Sequence, residues 1–132
     1  MPEHAERRVS HFVGLGDQSA SQGDHADAHD NYTKALDAAR EEYGLQGSKL
    51  VPILQKVIDS TLKDRLLSVE KRVERAAYYY RWVLACQEAQ LGFEHSDLAA
   101  TLKTLAIFYD QLGRHTEACE LIERLKAIPK HQ

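Results

Sequence analysis

The chain has 132 residues, 43% of them hydrophobic and 28% charged, with a formal charge of -3 and a sequence pI near 6.1. Those values describe an ordinary globular chain of one modest domain and exclude the basic footprint by which proteins grip nucleic acid. The N-terminal Met1-Pro2-Glu3-His4-Ala5-Glu6-Arg7-Arg8 lacks the apolar stretch of a signal peptide, and nowhere do about 18 apolar residues run together, so a cytoplasmic protein without a membrane span is expected. Cys86 and Cys119 fall inside helical patterns and are expected to be buried, reduced thiols.

Six helical segments follow in chain order, with almost no strand signal. The first runs from about Ala5 to Gln22 and stops at Gly23, after which Asp24 can cap the next. The second runs from about His25 to Tyr43, with Ala28, Tyr32, Ala35, Leu36 and Ala39 on one face, and Gly44 and Gly47 end it. The third starts with Ser48 as N-cap and Pro52 in its first turn, and carries Leu50, Val51, Leu54, Val57, Ile58 and Leu62. The fourth carries Val73, Ala76, Ala77, Tyr80, Val83 and Leu84 and stops at Gly92. The fifth follows His95-Ser96-Asp97 with Leu98, Leu102, Leu105, Ala106 and Tyr109 as its face, and Gly113 closes it. The sixth holds Ala118, Ile122, Leu125 and Ile128 before Pro129.

A residue ladder recurs along these segments. Leu15-Gly16, Gly23, Ala28, Tyr32 and Ala35 reappear at identical spacing as Leu105-Ala106, Gly113, Ala118, Ile122 and Leu125, and Val57-Ile58, Ala76, Tyr80 and Val83 form an imperfect copy between them. Small residues in the ladder let neighbouring helices nest closely. With Phe12 or Leu102 ahead of it, this pattern resembles the tetratricopeptide repeat. The stretch Gln90-Leu91-Gly92-Phe93-Glu94-His95-Ser96-Asp97-Leu98-Ala99, followed by Thr101-Leu102, Leu105-Ala106 and Tyr109, is similar to the long-period form found in kinesin light chains and many bacterial repeat proteins. Leu15 to Val57 is 42 residues, against roughly 34 in the common repeat. The resemblance implies an all-α fold, an α-solenoid of about three helix-turn-helix repeats spanning about 5–43, 48–91 and 96–128 in one domain.

The second repeat is irregular and lengthened. Ile58 takes the small position, Arg65 stands at the turn glycine, and 19 residues separate Val57 from Ala76 where the other copies have 13. Leu62, Leu66, Val69, Val73, Ala76 and Tyr80 keep helical spacing through the expected turn. Two readings are open: a turn near Asp64 to Ser68 with Ser68 capping a long helix, or one continuous helix of roughly 55 Å that sends the third repeat onto a second chain.

The resemblance implies a binding surface rather than chemistry. In such repeats the first helix of each pair lines a concave groove where a partner segment docks. By register, that groove takes Val13, Asp17, Ala20 and Ser21 from the first repeat and Gln55, Lys56, Asp59 and Lys63 from the second. The third repeat gives Ala100, Lys103, Ile107, Asp110 and Gln111. Chaperone-binding relatives hold carboxylates with a Lys/Asn/Arg clamp, and the matching Val13, Asp17, Lys56, Ala100 and Thr104 lack it. A protein or peptide partner is therefore expected, with no nucleic acid, membrane or cofactor.

Motifs for catalysis are missing: there is no His-Glu-x-x-His, no phosphate loop and no nucleophile elbow, so no enzyme is expected. His25 and His29, one helical turn apart beside acids, have the spacing of two metal ligands but no further ligand fixed by sequence. Tyr78, Tyr79, Tyr80 and Trp82 cluster, and only Tyr80 matches a core position; Tyr79 and Trp82 either form an exposed patch or pack under the extended turn. Gly14 has no packing role readable from the ladder and weakens the first helix. The alternative to an adaptor is a self-assembling homodimer. The chain carries no polar capping helix after the sixth segment, and Leu121, Leu125 and Ile128 make an apolar flank that could pair with another copy.

Overall fold

A computed structural model describes residues 2–44 and 46–129. Among them the chain forms α1 Pro2–Ser21, α2 His25–Tyr43, α3 Gly47–Lys63, α4 Val69–Leu91, α5 Ala99–Gln111 and α6 His115–Ala127, with a 3-10 turn Ser96–Leu98 ahead of α5. The described residues are all-helical, without a strand. Each helix packs on the next in sequence, so the contacts are mostly between neighbours.

Local chemistry sets these boundaries. Between α1 and α2 the chain turns at Gly23, φ +80°, and Asp24 then caps α2 by accepting from the Asp27 N–H at 3.1 Å. Ninety residues on, Gly113 repeats the conformation with φ +78° between α5 and α6. Gly44 and Gly92 end α2 and α4.

The chain turns between the third and fourth helices. α3 ends at Lys63 and α4 begins at Val69, and the two helices pack on one another, so no continuous helix crosses this segment. Asp64 supplies the missing turn chemistry by accepting from the Leu66 N–H at 3.0 Å, and the Ser68 hydroxyl caps α4 at the Lys71 N–H, 3.2 Å. Leu66 and Val69, which extended the helical pattern, are 88% and 67% exposed. Their spacing does not reflect a buried stripe.

The start of α3 also departs from expectation. The helix begins at Gly47, with Gln46 as an N-cap that makes no side-chain bond, so Ser48 is not the cap and Pro52 lies inside the helix. Gly47 serves close packing: a Cβ there would stand 3.2 Å from Gln90 Oε1 and 3.7 Å from Cys86 Cβ of α4.

Two apolar clusters form the core. The larger joins Ala28, Tyr32, Ala35 and Leu36 of α2, Leu50, Leu54 and Val57 of α3, and Ala76, Val83 and Cys86 of α4, with Phe12 and Val13 of α1 packed against it. The second joins Ala77 and Leu84 of α4 to Leu98, Leu102, Leu105, Tyr109, Ala118 and Ile128. Thus α4 gives one face to each cluster, and the Tyr80 and Phe108 rings, 5.6 Å apart, touch both.

Matching ladder positions are not equally buried. Leu105 is 1% exposed but its counterpart Leu15 is 38% exposed; Tyr32 is 4% exposed but its counterpart Ile122 is 40% exposed. The exposed members lie on α1 and α6, the two end helices, each of which packs mainly on a single neighbour. This corrects the expected interior position of Ile122. It also corrects the flank proposed for pairing: Ile128 is buried in the second cluster, and Leu121 and Leu125 pack partly against it. Residues 118, 121 and 125 form the inward seam of α6, and Ile128 joins the same cluster just past the helix end. Cys119 lies off that seam and is an exposed free thiol, while Cys86 is buried and free, as expected.

Candidate functional site

The cleft that best fits the predicted groove lies between α1 and α3. Ala20, His25, Tyr32, Gln55, Lys56, Asp59 and Ser60 line a volume of ≈ 370 Å³. Four of these, Ala20, Gln55, Lys56 and Asp59, are groove positions by register. They converge because α1 and α3 both pack on α2, which turns the phenol of Tyr32 up between them.

Asp17 ties this surface together. Its carboxylate accepts from the Tyr32 hydroxyl and from Lys56 Nζ at 2.9 Å, and the Lys56 ammonium also sits 5.6 Å from the centroid of the Tyr32 ring. The Tyr32 hydrogen bond, and after it the Lys56 charge, holds the Asp17 carboxyl below the usual carboxylate range. Burial first, then Asp17, pushes the Tyr32 phenol well up. Near neutral pH the site therefore presents a fixed pattern of anion, cation and hydroxyl donor.

Other predicted positions are placed differently. Val13 is partly buried against the larger cluster, Ser21 donates to the Gln18 carbonyl at 2.7 Å, and Lys63 pairs with Asp59 at 3.1 Å. Ala100, Lys103, Ile107, Asp110 and Gln111 are all exposed on α5, and none of them lines the α1–α3 cleft. α5 packs on α4, and Asp110 is engaged by the His115 ring. Because α5 packs on α4 and not on α3, these positions lie outside this cleft.

His25 and His29 do not converge. His25 borders the cleft, while the half-buried His29 ring has Nδ1 3.1 Å from Thr61 Oγ1 and packs edge-to-face with Tyr79. Among the described residues no three His, Cys, Asp or Glu side chains gather as a metal site. Burial lowers the His29 pKa from its ordinary 6.5. The unfolded chain then binds more protons, so the contribution of this group is full above about pH 6.5 and is lost as pH falls through the lower folded value. Urea midpoints of His29→Gln should show a shallower loss of stability between pH 7.5 and 5 than the parent; parallel profiles would rule this out.

Tyr32 is the site residue that sequence reasoning missed in function, since the ladder marks it as core. Its signal was chemical: a phenol buried among aliphatic residues needs a partner for its hydroxyl. The described helices include none long and apolar enough to cross a membrane. A scan against protein-family models and a search of curated proteins find no match to the chain.

Proposed function

We propose that this chain is a tetratricopeptide-like α-solenoid of about three repeats that acts as a non-enzymatic, cytoplasmic scaffold without a cofactor, holding a segment of a protein partner in the α1–α3 groove. The observation that supports this reading is the convergence of Ala20, Gln55, Lys56 and Asp59 on one cleft, with the Asp17, Lys56 and Tyr32 network at its edge. An extended segment docking there meets alternating charge, one amide and one aromatic floor, which suits a peptide of mixed polarity.

A photo-crosslinking side chain at Gln55 tests the proposal. In cell extract it should trap a discrete partner, and Lys56→Glu should abolish the adduct while the same crosslinker at exposed Glu120 traps none. Adducts that are equal from both positions would sink the groove reading.

A second reading, self-assembly, is favoured by one observation: Leu15 at one end of the array and Ile107 and Ile122 at the other are all more than a third exposed. Pairing by this route uses Ile122 and Ile107 rather than Leu121, Leu125 and Ile128. Light scattering of the same preparations over a wide concentration range separates the two, because only self-assembly raises the mass above 15.0 kDa.

A further inference from the structure

The strongest unassigned feature lies on the outer face of α4. Arg75, Tyr78 and Trp82 recur at spacings of three and four, so they share one helix face, with Tyr79 and Arg81 beside them. Tyr78 is 54% exposed, and Tyr79 and Trp82 are half-buried. The three rings form an aromatic cluster, with centroids 5.2 Å apart for Tyr78 and Tyr79 and 5.9 Å for Tyr78 and Trp82. The Arg40 guanidinium from α2 lies 5.1 Å over the Trp82 ring, which closes that end of the cluster.

At the other end the cluster borders a cleft of ≈ 400 Å³, walled by His29 of α2, Glu74, Arg75, Tyr78, Tyr79 and Arg81 of α4, and Tyr109 and Arg114 across from them. Its charges are unequally matched. Arg114 is held by Glu117 through two bonds of 2.7 Å and lies 4.7 Å over the Tyr109 ring, and Glu74 is met by Lys71 at 4.0 Å. Neither Arg75 nor Arg81 makes an ion pair with any described residue, and both are exposed. Two unmatched guanidinium groups thus flank aromatic rings on a chain whose overall charge is -3.

We infer that this face is a second binding site, distinct from the α1–α3 groove, for an acidic peptide segment of a protein partner. Carboxylates pair with Arg75 and Arg81, where planar guanidinium forks favour bidentate contact, and an apolar side chain between them lies on Tyr78 and Tyr79. Six residues of helix put the two arginines about 9 Å apart along the axis and about 120° apart around it, so their guanidinium groups stand further apart than the axial rise alone. In an extended segment, side chains alternate sides, so acidic residues four apart span about 13 Å at about 3.3 Å per residue and share a face with the apolar residue midway between them. Charge complementarity selects the ligand class. Two cations suffice for two carboxylates, but a nucleic-acid backbone needs more phosphates neutralised and meets a protein of its own sign.

The single tryptophan of the chain is part of this face, so its emission reports the site without a label. The probes are a blocked peptide Ser-Glu-Ser-Leu-Ser-Glu-Ser, its counterpart with Gln for every Glu, and oligo(dT). The acidic peptide should change Trp82 emission saturably, and Arg75→Gln with Arg81→Gln should weaken it at least about tenfold with an unchanged far-UV spectrum. The glutamine peptide should be inert in the same range. A response that survives both substitutions, equal binding of the glutamine peptide, or no response up to millimolar acidic peptide would overturn the inference. Tighter binding of oligo(dT) would also overturn it, in favour of a single-stranded nucleic acid.

Discussion

Gly16→Ala is expected to destabilise the protein by about 1–2 kcal/mol, while Gly14→Ala two residues earlier stabilises it by about 0.5–1 kcal/mol. Both sit inside α1, where alanine is favoured over glycine by about 1 kcal/mol. At Gly14 a new Cβ meets nothing within 4 Å, so the propensity gain stands alone. At Gly16 it would stand 2.5 and 2.6 Å from two carbons of the Tyr32 ring. That ring is 4% exposed and held through its hydroxyl by Asp17, so it has little room to yield. Overpacking typically costs about 1–3 kcal/mol, and contacts this short on a pinned ring put Gly16→Ala toward the upper end, beyond what propensity returns. Urea denaturation of the two variants decides the matter: shifts of the same sign would show that Tyr32 does not clamp α1. Moving the ring also disturbs the floor of the α1–α3 cleft, so Gly16→Ala should weaken partner capture when Gly14→Ala does not.

Leu54→Ala and Leu102→Ala should each cost about 2–5 kcal/mol, the range for emptying a fully buried leucine site, but should break the molecule in different ways. Both leucines are 0% exposed, one in each cluster. α5 rests on α4 and α6 on α5, whereas α1 to α3 make no comparable use of α5 and α6. Loss of Leu54 loosens the wall on which the C-terminal pair depends, so ellipticity and Trp82 emission should shift together. Loss of Leu102 weakens mainly that pair, so ellipticity should fall at lower urea than the emission of Trp82, which packs against the larger cluster. Coincident transitions in Leu102→Ala would mean that the Tyr80 and Phe108 contact binds the two clusters into one cooperative unit.

Helix number and order were legible because glycine and capping residues act locally. Gly23, Gly44, Gly92 and Gly113 all adopt positive φ at helix ends, and Asp24 and Ser68 cap as their side chains allow. Gly47 misled for the same reason: a glycine kept for close approach to Cys86 and Gln90 looks in sequence like one kept for a turn. Burial was less legible, since it belongs to a residue and its neighbour together. Leu15 and Ile122 carry the ladder but sit on end helices with one main packing neighbour each, and Leu121 and Ile128, surplus in the pattern, are covered by the second cluster. The groove was half legible. Register brought Gln55, Lys56 and Asp59 to one cleft, but nothing in the ladder revealed that α5 would pack on α4 away from α3, leaving Lys103 and Ile107 out of it.

The sharing of α4 between two clusters gives synthesis a direction. Every buried member of the larger cluster lies between Ala28 and Cys86, so a nascent chain can close it before α5 has emerged from the ribosome. Because packing is between successive helices, closure requires few distant encounters and should be fast. The finished four-helix portion then presents Ala77 and Leu84 as an uncovered strip, on which α5 and α6 settle as they emerge.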